Sequence, residues 1–108
     1  MTVAYQDITQ LGALDLSRAI HNRKVSCREV MLATLAQVDR LNPHSNAIVS
    51  RVDSDVLLAQ ADERDAQLAR GESMGWLHGI PQAIKDLANV QGLRTSLGSP
   101  LMKDFVAS

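Results

Sequence analysis

One lysine in the middle of the chain is the main candidate for chemistry. The stretch from Trp76 to Asp86 reads Trp-Leu-His-Gly-Ile-Pro-Gln-Ala-Ile-Lys-Asp, which puts Lys85 near the end of a short apolar run that follows a proline. A lysine in such a position is usually a solvated charge. An amine that is desolvated and lacks a carboxylate partner can instead act as a general base or as a nucleophile. The residues alone leave both interpretations of Lys85 open.

The residues around Lys85 favour a short strand. Pro81 can begin a strand, because the first residue need not donate a hydrogen bond to a neighbour. Residues 82–85 then continue as a pleated segment in which successive side chains point to opposite faces. This alternation separates Lys85 from Asp86. We therefore do not expect the Asp86 carboxylate to stabilise the charged form of the lysine.

Three other candidate groups have simpler structural interpretations. His21 lies near the end of a predicted helix, where a polar or positive side chain is favoured, and nothing around it offers a partner for a role as ligand or base. Cys27 falls on the apolar face of the next helix, which indicates a buried structural thiol rather than a nucleophile. The charged cluster at residues 62–65 fans out around a helix and cannot converge on one metal ion, although one member can turn inward.

Capping signals and apolar periodicity predict the elements that must hold Lys85. Gly12 can act as the N-cap of a first helix, and Ser26 with Glu29 forms a capping box for a second. Pro43 is expected to end that second helix, since proline cannot continue the backbone hydrogen bonding. A β-branched run and turn residues indicate strands. The predicted helices span about residues 13–22, 27–41 and 54–70, and the predicted strands about residues 47–52, 82–85 and 93–96.

Length and composition are typical of one globular unit. The chain has 108 residues, of which 45% are hydrophobic but only 3% aromatic, so the core must be aliphatic. A net charge of -1 gives no electrostatic reason to expect nucleic acid or an anionic membrane as a partner. The single cysteine fits a reducing compartment. Residues 1–7 do not resemble a signal peptide, and no apolar run could span a membrane, so a soluble cytoplasmic protein is expected.

Two blocks of the sequence resemble the N-terminal portion of the amidase signature family. The first is Leu77 to Asp86, with its Gly-Ile-Pro-x-x-Ile-Lys-Asp pattern, and the second is Gly92 to Ser99, Gly-Leu-Arg-Thr-Ser-Leu-Gly-Ser. The order of capped helices, a strand and a further helix also resembles that family, so the similarity covers nearly the whole chain. The resemblance implies an α/β fold, of which this chain would contribute about three helices, a few short strands and an incomplete mixed sheet.

The resemblance also implies a reaction. Members of the family hydrolyse carboxamides with a Ser–cis-Ser–Lys triad, and Lys85 matches the lysine of that triad. Lys85 would take a proton from the bridging serine, which in turn deprotonates the nucleophilic serine. Backbone N–H groups of a Gly/Ser-rich loop would stabilise the oxyanion. The implied partner is a small-molecule amide substrate, and no metal or organic cofactor is implied.

The sequence departs from the family pattern in one respect that matters for activity. The Gly-Gly-Ser-Ser-Gly-Gly-type segment with the bridging serine does not occur, and the nucleophilic serine of the family lies later still. Ser99 precedes Pro100, which has no N–H to donate to an oxyanion, and Ser96 lacks flanking glycines and a base. His78 has no acid partner and is expected to shape the chain before Pro81. The chain is thus expected to be a fragment, inactive alone and prone to self-association through uncovered apolar surface.

Other functions stay open at this point. The chain could be a stand-alone interaction module that uses its helices as a binding surface, with Lys85 as a remnant. Lys85 could also form a Schiff base with a carbonyl ligand. Within the family, the glutaminase component of a tRNA amidotransferase is an alternative parent to an amidase. The residues that would choose the substrate are expected to lie beyond Ser108.

Overall fold

The computed structural model of the chain describes residues 8–108, and its regular structure is helical. Helix α1 spans Ala13–His21, helix α2 spans Cys27–Ser45 and helix α3 spans Ser54–Ala69. A single turn of 3₁₀ helix follows at Pro100–Met102. The predicted helices over 13–22, 27–41 and 54–70 correspond to these three α-helices. The expectation about a signal peptide concerns residues 1–7, which lie outside the described residues.

The start of α2 is capped by its own residues and by α3. The Ser26 hydroxyl accepts from the Glu29 N–H at 3.0 Å, and the Glu29 carboxylate accepts from the Ser26 N–H at 3.1 Å, as the capping box predicts. Asp65 of α3 supplies two further acceptors. Its carboxylate accepts from the N–H groups of Cys27 at 2.7 Å and Arg28 at 3.1 Å. A residue of α3 therefore completes the N-terminus of α2.

Helix α2 continues through Pro43, contrary to the prediction that it ends near residue 41. Proline at this position removes only one backbone hydrogen bond, and the helix has only two residues left to run. The end comes at Asn46, which adopts a left-handed conformation with φ of 48° and donates its N–H to the Asn42 carbonyl at 2.7 Å. The left-handed residue, rather than the proline, therefore stops the helix.

The three predicted strands do not form among residues 8–108. Residues 47–52 are irregular. The Asn42 side-chain amide accepts from the Ile48 N–H at 2.9 Å and donates to the Ile48 carbonyl at 3.0 Å. Residues 82–85 are also irregular. Residues 93–96 make an isolated antiparallel bridge, Arg94 with Val106. A strand exists only beside another strand, and the described chain offers no such neighbour for the first two segments.

The core is aliphatic, as the composition requires. It lies where α1, α2 and α3 meet, and α2 packs along α3. Its buried members are Ile8, Ala19, Ile20, Val25, Cys27, Val30, Ala33 and Ala61. Many larger apolar side chains stay exposed instead, most of them between Met74 and Val106. Within residues 8–108, no helix combines the length and apolar character needed to cross a membrane.

Candidate functional site

Lys85 lies on the wall of an open cleft. The cleft has a volume of about 930 Å³ and is bounded by α2, by α3 and by the segment from Leu77 to Arg94. The lysine side chain is exposed and makes no hydrogen bond or ion pair with any residue of 8–108. Its backbone carbonyl accepts from the Ala88 N–H at 2.9 Å, which closes a turn directly after it. The amine is therefore free to meet a ligand in the cleft.

Much of the cleft lining is aliphatic, so an apolar surface surrounds the amine. Helices α2 and α3, residues 47–51 and the chain around the Gly-Ile-Pro sequence all contribute to it. A cleft of this kind holds the apolar part of a ligand while a few polar groups orient it. The apolar lining residues include Met31, Leu35, Val38, Ile48, Leu57, Leu77, Ile80, Ile84 and Leu93.

Asp86 does not pair with Lys85, although the reason differs from the one predicted. The segment is not a strand, so pleat alternation does not separate the two side chains. Instead the Asp86 carboxylate accepts from the Ser96 N–H at 2.8 Å and also from the Ser96 hydroxyl. These two hydrogen bonds from Ser96 hold the pKa of the Asp86 carboxyl below its usual range. At neutral pH the Asp86 carboxyl is therefore ionised and hydrogen-bonded to Ser96.

Gly79 brings the chain before Lys85 into contact with the start of α2. Its φ is +78°, and a Cβ built at this position would lie 2.4 Å from the Cys27 Sγ. Only glycine fits both the backbone conformation and the space. Cys27 is fully buried, and burial, followed by the hydrogen bond and charge of Asp65, raises the pKa of its thiol to about 12. This environment agrees with the structural interpretation of Cys27, because a protonated thiol is a poor nucleophile.

His78 fixes the turn that precedes Gly79. The ring is only 3% exposed, and its Nδ1 accepts from the Met74 N–H at 3.1 Å. The proton therefore lies on Nε2, which donates to the Arg64 carbonyl of α3 at 2.8 Å. Both ring nitrogens are satisfied in the neutral form. His78 thus joins the loop to α3, in agreement with the expectation that it shapes the chain before Pro81.

His21 has partners that local sequence did not indicate. Its Nδ1 lies 2.8 Å from the Ser17 carbonyl, and its Nε2 lies 2.8 Å from the Ser73 hydroxyl. The expectation that nothing around it offers a partner was therefore wrong, because Ser73 is distant in sequence. The Ser17 hydroxyl donates to the Trp76 carbonyl at 2.6 Å. These contacts hold the loop at residues 73–76 against α1, and they do not involve Lys85.

The remaining candidates have structural partners. Ser96 is bound to Asp86, and the Ser99 hydroxyl accepts from the Leu101 N–H at 3.3 Å at the start of the 3₁₀ turn. The charged cluster at residues 62–65 points in several directions. Asp62 pairs with Arg28 at 2.7 Å, whereas Asp65 turns inward to the α2 N-terminus. Sequence reasoning anticipated one inward member but missed the Asp86–Ser96 contact, for which no local spacing gives a signal.

Comparison with known proteins gives the family. The model of the amidase family matches residues 29–108. The chain is 37% identical over 100 residues to the A subunit of glutamyl-tRNA(Gln) amidotransferase from Bdellovibrio bacteriovorus, covering 93% of this chain and 20% of that protein. It is 36% identical over 103 residues to an acylamidase of Rhodococcus erythropolis, covering 95% and 21%. It is 40% identical over 98 residues to the corresponding amidotransferase protein of Pseudomonas putida, covering 91% and 20%.

The matches cover nearly all of this chain but only a small part of each relative. The chain spans about a fifth of the length of the curated relatives that it matches. The family match includes the Gly-Ile-Pro sequence, Lys85, Asp86 and the segment around Ser96. The resemblance seen in the sequence is therefore confirmed, and this chain belongs to the amidase family.

Proposed function

We propose that this chain supplies the general base of an amide-hydrolysing enzyme, and that Lys85 is that base. The observation that carries the proposal is the amine of Lys85, which faces an open, largely apolar cleft without a hydrogen-bond or ion-pair partner among residues 8–108. Family membership supports the assignment, since the lysine stands in the sequence block that resembles the family's base-bearing segment. A base must be free to accept a proton, and an amine already bound to a carboxylate is not.

The chemistry assigned to Lys85 is proton transfer through two serines. The neutral amine takes a proton from a bridging serine, and the bridging serine takes one from the nucleophilic serine as that oxygen adds to the amide carbon. As the C–N bond breaks, the bridging serine gives one proton to the leaving nitrogen and regains one from Lys85. Water then hydrolyses the acyl-serine by the same relay. Both serines would come from the part of the enzyme that corresponds to the other four-fifths of the relatives.

The local serines do not provide a substitute for that second part. Ser96 donates its hydroxyl to Asp86, and Ser99 caps the 3₁₀ turn before Pro100. Neither hydroxyl hydrogen bonds to Lys85. We therefore expect the chain alone to hydrolyse no amide, and we expect activity only when the serine-bearing part is present.

A chimera tests the assignment of Lys85. Residues 1–108 would replace the matching segment of the Rhodococcus erythropolis acylamidase, and hydrolysis of a simple anilide would be followed. Lys85→Arg is expected to lower kcat/KM by about 10²–10⁴-fold, the range that a general base contributes. Lys103→Arg, another exposed lysine, is the matched control and is expected to leave the rate unchanged. A Lys85→Arg chimera as active as the control, or turnover by the unfused chain, would refute the proposal.

A second candidate for the parent enzyme is the glutamyl-tRNA(Gln) amidotransferase. Two of the three relatives described above carry that name, and their identities to this chain are similar to that of the acylamidase. The same graft into the Bdellovibrio bacteriovorus protein distinguishes the two candidates. Restored hydrolysis of glutamine in that protein, with no restored anilide hydrolysis in the acylamidase chimera, would favour the second candidate.

A further inference from the structure

We propose that Asp86 is a positioning residue for Lys85, acting through its contact with Ser96. The inference rests on the proposed function of Lys85 as a base and names the group that holds that base in place. It has two parts, which different measurements can test. The first is mechanical, because the contact fixes the backbone next to the lysine. The second is electrostatic, because the contact engages the carboxylate of the adjacent residue, which forms no ion pair with the amine.

Lys85 needs such a support because its own segment has no regular structure. Residues 82–85 form no helix or strand, and the bond from the Ala88 N–H to the Lys85 carbonyl closes only a local turn. The lysine side chain itself has no partner in the described chain. A base that must meet a proton within about 3 Å needs a defined position, and displacements of about 1 Å are costly to catalysis.

The Asp86–Ser96 contact joins this irregular segment to a fixed part of the molecule. Both hydrogen-bonding groups of Ser96, its N–H and its hydroxyl, donate to the same carboxylate. The preceding residue, Thr95, is 2% exposed and donates its N–H to the Phe105 carbonyl at 2.9 Å. A further bond from the Ala107 N–H to the Leu93 carbonyl holds the same region. The backbone at residue 86 is thereby held to a paired segment ten residues later.

The same contact decides the electrostatic surroundings of the amine. Asp86 is the residue next to Lys85, and a free carboxylate there would stabilise the ammonium form if it came within about 4–6 Å. Ser96 engages both carboxylate oxygens instead. These hydrogen bonds also favour the ionised carboxylate, so the contact persists at neutral pH. Two further groups, the Gly98 N–H and the Arg94 guanidinium, also lower the pKa of the Asp86 carboxyl. Removing the Ser96 hydroxyl would leave one carboxylate oxygen less strongly held, and Lys85 would then compete with these two groups for it.

The electrostatic part is tested on the 108-residue chain by acylation of its lysines with acetic anhydride, read by mass spectrometry over a range of pH. Lys103 in the same molecule is the internal reference. Ser96→Ala is expected to slow acylation of Lys85 about two- to fivefold at neutral pH, the range for an exposed ion pair, and to move its pH profile upward. Ser96→Thr keeps both the hydroxyl and the N–H donor and should give the same Lys85 profile as the unsubstituted chain. The double variant Ser96→Ala/Asp86→Asn has no carboxylate to pair with Lys85 and should also restore it.

Asp104→Asn is the matched control for removing an exposed carboxylate, and it should leave the Lys85 profile unchanged. A loss of folding alone would change the Lys85 profile equally in the Ser96→Ala chain and in the double variant. An unchanged Lys85 profile in Ser96→Ala, or an equal change in the double variant, would overturn the electrostatic part of the inference.

The mechanical part is tested in the acylamidase chimera by separating kcat from KM. Asp86→Ala is expected to lower kcat at least about tenfold with little change in KM, because the base is displaced while the substrate cleft remains. If Lys85→Arg abolishes activity while Asp86→Ala and Ser96→Ala keep full kcat, the positioning role is wrong and the proposed function stands. If Lys85→Arg keeps full activity, the proposed function is wrong. The acylation profiles then still show whether Asp86 and Ser96 affect the protonation of Lys85.

Discussion

The approach of Gly79 to Cys27 links the chain that carries Lys85 to the helical core. Gly79 is adjacent to Ile80, which packs against the buried cluster, and follows His78, which binds α3. The small residue lets the backbone pass directly over the Cys27 thiol. The placement of the segment after Pro81 therefore depends on a steric condition at one residue.

We predict that Gly79→Ala lowers the free energy of unfolding by about 3 kcal/mol. This figure combines the cost of placing alanine in the left-handed conformation with the cost of its clash with the buried Cys27 sulfur. Gly71→Ala is the control, because Gly71 has a similar φ of +77° but nothing within 4 Å of its Cβ position. That variant should cost only about 1 kcal/mol. Urea denaturation of both variants measures the difference. Equal free energies of unfolding for the two variants would contradict the close approach of Gly79 and Cys27.

At the scale of elements, α2 and α3 are joined by a cap that crosses between them. The capping box at Ser26 satisfies two donors, and the Asp65 carboxylate of α3 satisfies the N–H groups of Cys27 and Arg28. An acidic group at a helix N-terminus also interacts favourably with the helix dipole. Because these bonds span two helices, they fix how α3 lies against α2 and therefore shape one side of the cleft.

We predict that Asp65→Ala lowers the free energy of unfolding by about 2 kcal/mol, since two backbone donors lose a charged acceptor. Asp62→Ala is the matched control, three residues earlier on the same helix. Asp62 forms an exposed ion pair with Arg28, so its removal should cost about 0.5 kcal/mol or less. Thermal or urea unfolding followed by circular dichroism measures both. A loss at Asp62 as large as that at Asp65 would refute the cross-helix cap.

At the scale of the whole molecule, the chain leaves much apolar surface uncovered. Leu77 and Ile84, which line the cleft, are 61% and 50% exposed, and Leu101 is 95% exposed. The two segments predicted as strands beside the cleft have no strand partner among residues 8–108. Uncovered apolar surface of this kind favours association with another chain or with a further part of the same protein.

We predict that the 108-residue chain self-associates as its concentration rises, measured by sedimentation velocity. The Leu77→Gln/Ile84→Gln double variant should shift the distribution toward monomer, because it removes apolar surface at the cleft. Leu14→Gln is the control, since Leu14 is 50% exposed on α1 and does not line the cleft. Monomeric behaviour at all concentrations would contradict the prediction and would favour a stand-alone module. An equal effect of the control would argue against the cleft as the associating surface.

The sequence by itself determined the helices, the aliphatic core and the family. Ser26 and Glu29 signal a helix start through contacts three residues apart, and the Gly-Ile-Pro block with Lys85 is a contiguous pattern. Information of this kind is local, so it can be read without knowing the fold. The same local pattern predicted wrongly that the second helix ends at Pro43. The helix continues to Ser45, since the cost of one proline depends on how much helix remains after it.

Only the tertiary structure decided where the side chains of the candidate site go. Asp65 turns to α2, His21 meets Ser73, and Asp86 binds Ser96 rather than standing across a pleat from Lys85. Each of these contacts joins residues separated by ten or more positions, and no spacing rule encodes them. The expected strands at 47–52 and 82–85 were not realised for a related reason. A β-branched run favours extended chain, but a strand requires a neighbour whose backbone completes its hydrogen bonds.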